Sequence, residues 1–214
     1  MLTLYTDKFW ISPYVYSCFV VLREKGLSFD SKTISLGDSE QHKPEYRSRT
    51  VTGRVPALDH DGFVLAESSA IVEYLEDSFP APKHARVLPS AAQERGRARQ
   101  LMSWLRSDVT LPLRQDRPTT TIFYEHATTP LTEAGKAAAD RLVEVAHRAI
   151  PAGKTSLFEA WSIADADLAF MLHRLLLNGY DVPAEVRAFA EAQWKRPSVA
   201  EFVGRKRPAY EPYG

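Results

Sequence analysis

The chain of 214 residues is poor in cysteine: Cys18 is the only one. A single thiol excludes an intramolecular disulfide and leaves no set from which a cysteine metal site is built. The expected compartment is therefore reducing, and the expected location cytoplasmic. Long apolar runs are also missing. No run approaches the length of a membrane span and no charged start leads into an apolar segment, so neither a span nor a signal peptide is expected. Neither sign of charge is in excess, since Lys+Arg and Asp+Glu stand at 27 each. That balance gives no footprint for nucleic acid or an anionic membrane. The local exception is Gly204-Arg205-Lys206-Arg207, read as a solvated helix end whose cations suit the dipole, with a binding patch as the alternative. The six histidines are scattered without HxxxH or HExxH spacing, and no metal is assigned.

What is there is ordinary in amount and ordered in pattern. Apolar residues make up 44% of the chain and charged residues 25%, as in soluble globular proteins. The length suits two small domains. Leu2 to Thr6 reads as a strand. Ser12-Pro13 opens a helix that Gly26 closes, because Ser caps, Pro suits the first turn and Gly suits the C-terminal cap. A second strand is expected within Phe29 to Leu36, parallel to the first, as a βαβ unit requires. A short helix is expected near His42 to Ser48. Strands at Pro56–Asp59 and Phe63–Ala66 flank Asp61-Gly62, a hairpin signal. A helix then follows Glu67-Ser68-Ser69 and stops at Pro80.

The order is βαβ-α-ββα, an α/β domain of thioredoxin-like type over residues 1–80. Residues 81–90, with Pro82 and Pro89, read as a linker. Residues 91–214 read as an all-helical bundle, with periodicity at 91–115, 132–150, 162–178, 184–195 and 197–206. Pro112 is expected to kink or end the first of these, and 116–131 to be an exposed loop.

Four local signals carry chemistry. Trp10-Ile11-Ser12-Pro13-Tyr14 lies between the first strand and the first helix, where a glutaredoxin has Cys-Pro-Tyr-Cys. Ser12 and Val15 stand at the two cysteine positions, which rules out dithiol exchange there. Ser12 is either a plain N-cap or a hydroxyl that donates to a bound thiolate, with the helix dipole favouring the same anion. Val55-Pro56 is either an ordinary trans entry to a strand or a cis bend that presents the Val55 backbone to an extended peptide. Glu67-Ser68 is either a helix start with a favourable acid or a site for a group carrying a carboxylate and an ammonium. Ser162-Ile163-Ala164-Asp165 is a capping box, a folding element.

Together these motifs resemble the soluble glutathione transferases over essentially the whole chain. Glu24-Lys25-Gly26-Leu27-Ser28-Phe29, Ala70 to Asp77 and Trp104-Leu105-Arg106-Ser107-Asp108 look most like the bacterial YfcF-like serine-type group. The resemblance implies an enzyme with glutathione as co-substrate, acting on a small electrophile or peroxide by conjugation, peroxidase or thiol-transfer chemistry. The alternative is a non-catalytic module of the same fold. It further implies that Ser12 contacts the sulfur, that Val55 with Pro56 pairs with the cysteinyl backbone, and that Glu67 and Ser68 hold the γ-glutamyl end. Gln41, Lys43 and Arg54 are then candidates for the glycyl carboxylate. Phe9, Trp10, Tyr14, Trp104, Leu105 and Asp108 would wall the electrophile pocket, Tyr5 and Tyr14 are alternative sulfur contacts, and Asp108 would reach the site of a partner subunit in a homodimer. Cys18 is expected to be buried, inert and on the far side of its helix from the ligand.

Overall fold

A computed structural model describes residues 1–212. Positions 213 and 214 of the expected 91–214 domain lie outside the described residues. The chain forms two compact units: Met1–Arg86 together with the chain from Gly204 on, and Val87–Val203. The division falls within the expected linker. The end of the chain, expected with the helices, groups instead with the first unit.

In the first unit, β1 (Leu2–Asp7) runs into α1 (Pro13–Glu24) and back to β2 (Asp30–Ile34), parallel to β1. A short 3-10 turn (Glu40–His42) and α2 (Pro44–Arg47) lead to β3 (Ala57–His60), β4 (Phe63–Ala66) and α3 (Ser68–Ser78). The sheet order is β2-β1-β3-β4, with β3 antiparallel to both of its neighbours. The hairpin turn is Asp61-Gly62, with φ of 51° and 91°. Two positive φ angles make the type I′ geometry that matches strand twist, and asparate-glycine tolerates it well. Asp59 Oδ1 accepts the Gly62 N–H at 2.8 Å and fixes the turn.

Helix α1 is buried along most of its length because residues Val15 to Leu22 carry the core of this unit. Its end uses Gly26 at φ 64°, so that Leu27 N–H reaches Leu22 C=O at 3.0 Å. Beside that end, Lys25 is buried with Glu76, Nζ to Oε2 at 2.7 Å. Its other protons go to the carbonyls of Phe79 and Ala85, both at 3.0 Å. Three partners satisfy all three ammonium protons, the condition under which a buried charge is tolerable. The knot joins α1, α3 and the segment after α3.

The second unit is helical: α4 (Ala92–Arg106), a 3-10 turn (Asp108–Thr110), α5 (Leu111–Asp116), α6 (Thr120–Phe123), α7 (Glu133–Ala149), α8 (Ile163–Leu176), α9 (Ala184–Trp194) and α10 (Pro197–Val203). Residues Ile163 to Leu175 of α8 are buried on every side, so this helix is the axis of the core. Two sequence expectations change here. The first long helix stops at Arg106, before Pro112, because Ser107 turns extended (ψ 172°) and its hydroxyl donates to Trp104 C=O at 2.6 Å. Pro112 then sits in the first turn of α5, where its missing N–H costs nothing. The segment 116–131 is not a plain exposed loop. It contains α6, and Arg117, Thr121 and Ile122 are buried.

Candidate functional site

Strand register gathers the site. Ala57 pairs with Tyr5 on one side and with Ala66 on the other. The chain therefore leaves β1 toward Ser12, enters β3 from Val55-Pro56 and leaves β4 toward Glu67 at one end of the sheet. Adjacent strands are about 4.8 Å apart, so three loops distant in sequence become neighbours. Ligands of open α/β sheets bind at such an end.

Ser12 is the N-cap of α1. Its Oγ accepts the Val15 N–H at 3.3 Å, which leaves the hydroxyl's own proton to donate. Pro13 has no N–H, and the Ser12 N–H donates to Asp7 Oδ2 at 3.1 Å. The amides of Ser12 and Val15 are thus spent inside the protein. The Ser12 hydroxyl keeps its own proton as a donor.

Asp7 is a residue that sequence reasoning missed. It ends β1, is buried, and accepts Ile11 N–H on Oδ1 at 2.9 Å as well as Ser12 N–H on Oδ2. Burial pushes its carboxyl above the ordinary range, while the amides of Ile11, Ser12 and Phe9 pull it back. The only local sequence signal is an acid at a strand end five residues before a helix cap, which is too common to single out.

The Val55-Pro56 peptide bond is cis and turns the chain into β3. Glu67 precedes α3 at φ 72° and ψ 114°, a region that side-chain-bearing residues seldom occupy. Holding it there costs on the order of 1–3 kcal/mol, and strain of this kind gathers at ligand sites. Its exposed carboxylate makes no capping bond. Ser68 beside it is buried at the first position of α3.

Of the basic and amide candidates, Gln41 has a buried Oε1 without a hydrogen-bond partner among the described residues. Lys43 lies 3.9 Å from Glu40 on the surface. Arg54 is exposed, and among the described residues no carboxylate pairs with it; its carbonyl accepts from Tyr46 Oη at 2.7 Å. Tyr5 is buried with Ile34, Tyr46 and Ala57, and its hydroxyl accepts from Arg49 at 2.6 Å. Tyr14 is half-buried in the first turn of α1.

Phe9 and Trp10 are the expected pocket-wall residues between β1 and α1. Both are buried, and the end of the chain covers them. The Tyr210 ring meets Phe9 edge-on at 5.2 Å, and Arg205 lies over the Trp10 ring at 3.8 Å. Arg207 Nε donates to Trp10 C=O at 3.2 Å. The basic tail is therefore not a solvated helix end. The helix stops at Val203, and the guanidinium groups are anchored on an aromatic face and a carbonyl. Cys18 is fully buried as expected, but its Sγ lies 3.9 Å from Ser68 C=O, against the start of α3.

Trp104, Leu105 and Asp108 belong to the helical unit. Leu105 is core, Asp108 is exposed in the 3-10 turn, and Trp104 lines a cavity of about 630 Å³ with Leu101, Phe158, Arg97, Arg141 and Arg148. Among the described residues no group of three or more His, Cys, Asp or Glu side chains could hold a metal ion, and no helix is long and apolar enough to cross a membrane.

Comparison with known proteins gives the same picture from outside. Residues 11–78 match the N-terminal domain of glutathione S-transferases, and residues 91–206 match their C-terminal domain. A glutathione transferase homologue from Burkholderia BGR1, crystallised with bound glutathione, is 42% identical, with a TM-score of 0.79 over 95% of this chain and 96% of that one. A probable glutathione S-transferase of Oryza sativa subsp. japonica is 37% identical over 39% of this chain and 34% of its own length. The maleylpyruvate isomerase of a Ralstonia species is 33% identical over 47% of this chain and 46% of its own. Those alignments span about a third to a half of the curated relatives. With both halves matched in order along the chain, this protein belongs to the glutathione S-transferase family.

Proposed function

We propose that this chain binds glutathione and activates its thiol for attack on a small electrophile or peroxide. The observation that supports it best is the common sheet end on which Ser12, Val55-Pro56 and Glu67-Ser68 meet. In this reading Val55 pairs its backbone with the cysteinyl unit, and Glu67 takes the γ-glutamyl ammonium. The start of α3 with Ser68 takes the adjoining carboxylate. Arg54 is the unpaired cation beside Val55 and suits the glycyl carboxylate, whereas Gln41 would meet it through its Nε2 protons and not through its unpartnered Oε1. Lys43, already drawn toward Glu40, is the weakest of the three.

The sulfur then lies at the start of α1. The Ser12 hydroxyl donates to it, and the helix dipole favours the same charge, so the thiol ionises at lower pH. In conjugation the thiolate carbon–sulfur bond forms as the leaving group departs with its electron pair. Peroxide reduction, thiol transfer and glutathione-dependent isomerisation begin from the same anion. The likeness to the Ralstonia isomerase keeps the last of these in view.

The test has two arms. Titrating wild-type protein with glutathione should show binding by calorimetry and thiolate absorbance near 240 nm at a pH below that of the free thiol. Ser12→Ala should raise the ionisation pH by one unit or more and cut turnover of chlorodinitrobenzene at least tenfold, with binding little changed. Unaltered turnover in the variant would remove Ser12 from the chemistry. No binding in the wild type would favour a non-catalytic module of this fold.

A further inference from the structure

Asp7 is an expensive residue to keep where it is. Its carboxylate is buried, and among the described residues no Lys, Arg or His pairs with it. Backbone amides alone receive it: Ile11 N–H at 2.9 Å on one oxygen and Ser12 N–H at 3.1 Å on the other. Trp10 N–H meanwhile donates to the Asp7 carbonyl at 3.2 Å, and Trp10 adopts φ 54°. The chain leaves the strand, folds back around the acid that ends it and enters α1, all within five residues. A carboxylate offers two acceptor oxygens at fixed spacing, which a serine or asparagine does not, and both are used here.

We propose that Asp7 is a positioning residue for Ser12: it fixes the Ser12 backbone so that the hydroxyl, and not the amides of the turn, is presented to the glutathione sulfur. The inference rests on the glutathione reading above. It has two parts. Asp7 sets where Oγ stands, because the Ser12 amide is anchored on it. It also withdraws the Ser12 N–H from the ligand, so the sulfur depends on the hydroxyl. Val55, Glu67 and Ser68 lie on other loops than Asp7, and glutathione binding through them should be left intact when Asp7 is changed.

The experiment is a double-mutant cycle on the full chain with Asp7→Asn, Ser12→Ala and the double variant. The asparagine retains one acceptor oxygen but turns an NH2 group toward an amide that needs an acceptor. Asp7→Asn should lower kcat about tenfold, keep KM for glutathione within about threefold, and move the ionisation of bound glutathione toward that of Ser12→Ala. The double variant should be no slower than Ser12→Ala alone, since Asp7 acts through the residue already removed. A residue that only stabilises the fold would give additive losses and would leave the bound thiol's ionisation unchanged; either result overturns the proposal. Should Asp7→Asn not fold, Asp7→Ser carries the same comparison. A wild-type protein that binds glutathione without ionising it removes the thiol-activation reading and this inference together, whereas normal ionisation in both wild type and Asp7→Asn removes only the inference.

Discussion

His173 is neutral in the folded protein. It is buried in α8, stacks on the Trp194 ring at 3.7 Å, and its Nδ1 meets Ala169 C=O at 2.8 Å, which sets that nitrogen as the donor. Burial lowers its pKa from 6.5 to about 4. The unfolded chain therefore takes up the proton first. The stability that neutral His173 contributes is complete above pH 6.5 and is lost as pH falls from there to about 4. The full loss is on the order of 3 kcal/mol. Urea unfolding at pH 7 and pH 4.5 should show a smaller acid-induced drop for His173→Phe than for wild type. Equal drops would mean that the ring is protonated while folded.

At the scale of an element, α8 shows what a sequence motif can and cannot say. The capping box is legible: Ser162 N–H and Oγ reach Asp165 Oδ2 at 2.8 and 3.0 Å. What no local pattern signals is the other oxygen, which accepts Leu157 N–H at 2.6 Å and ties the preceding loop to the helix. Asp165→Ala therefore removes a cap and leaves a buried amide unpaired. Its cost should be roughly 2–4 kcal/mol, above that of an isolated cap, read as the urea midpoint at constant slope. The same limit explains the other surprises. Strand order, the Asp-Gly hairpin and the caps of α1 follow from periods and turn chemistry. The Lys25–Glu76 pair and the Arg205 contact with Trp10 bury charged side chains across long sequence separations, and composition gives no signal for them. The Asp7 turn is local, but an acid at a strand end is too common to mark it. The site itself divides in the same way. Ser12, Val55-Pro56 and Glu67-Ser68 stand out by motif; the strain at Glu67 and the anchor beneath Ser12 emerge only from backbone geometry.

For the whole molecule, the expected state is a two-fold dimer. Light scattering should give twice the 24.1 kDa chain mass. If it does, Asp108→Ala should weaken glutathione binding by a few-fold without touching the thiol's ionisation, because its exposed carboxylate would act from the partner. A mass of one chain would take Asp108 out of the site.

Cys18 has a consequence on the same scale. It is the chain's one thiol, it is sealed among α1 and α3, and no second sulfur can form a disulfide with it inside the molecule. A thiol-directed dye added to the native protein finds nothing to label. One substitution that adds a surface cysteine gives a single labelling site, because buried Cys18 does not compete for the label.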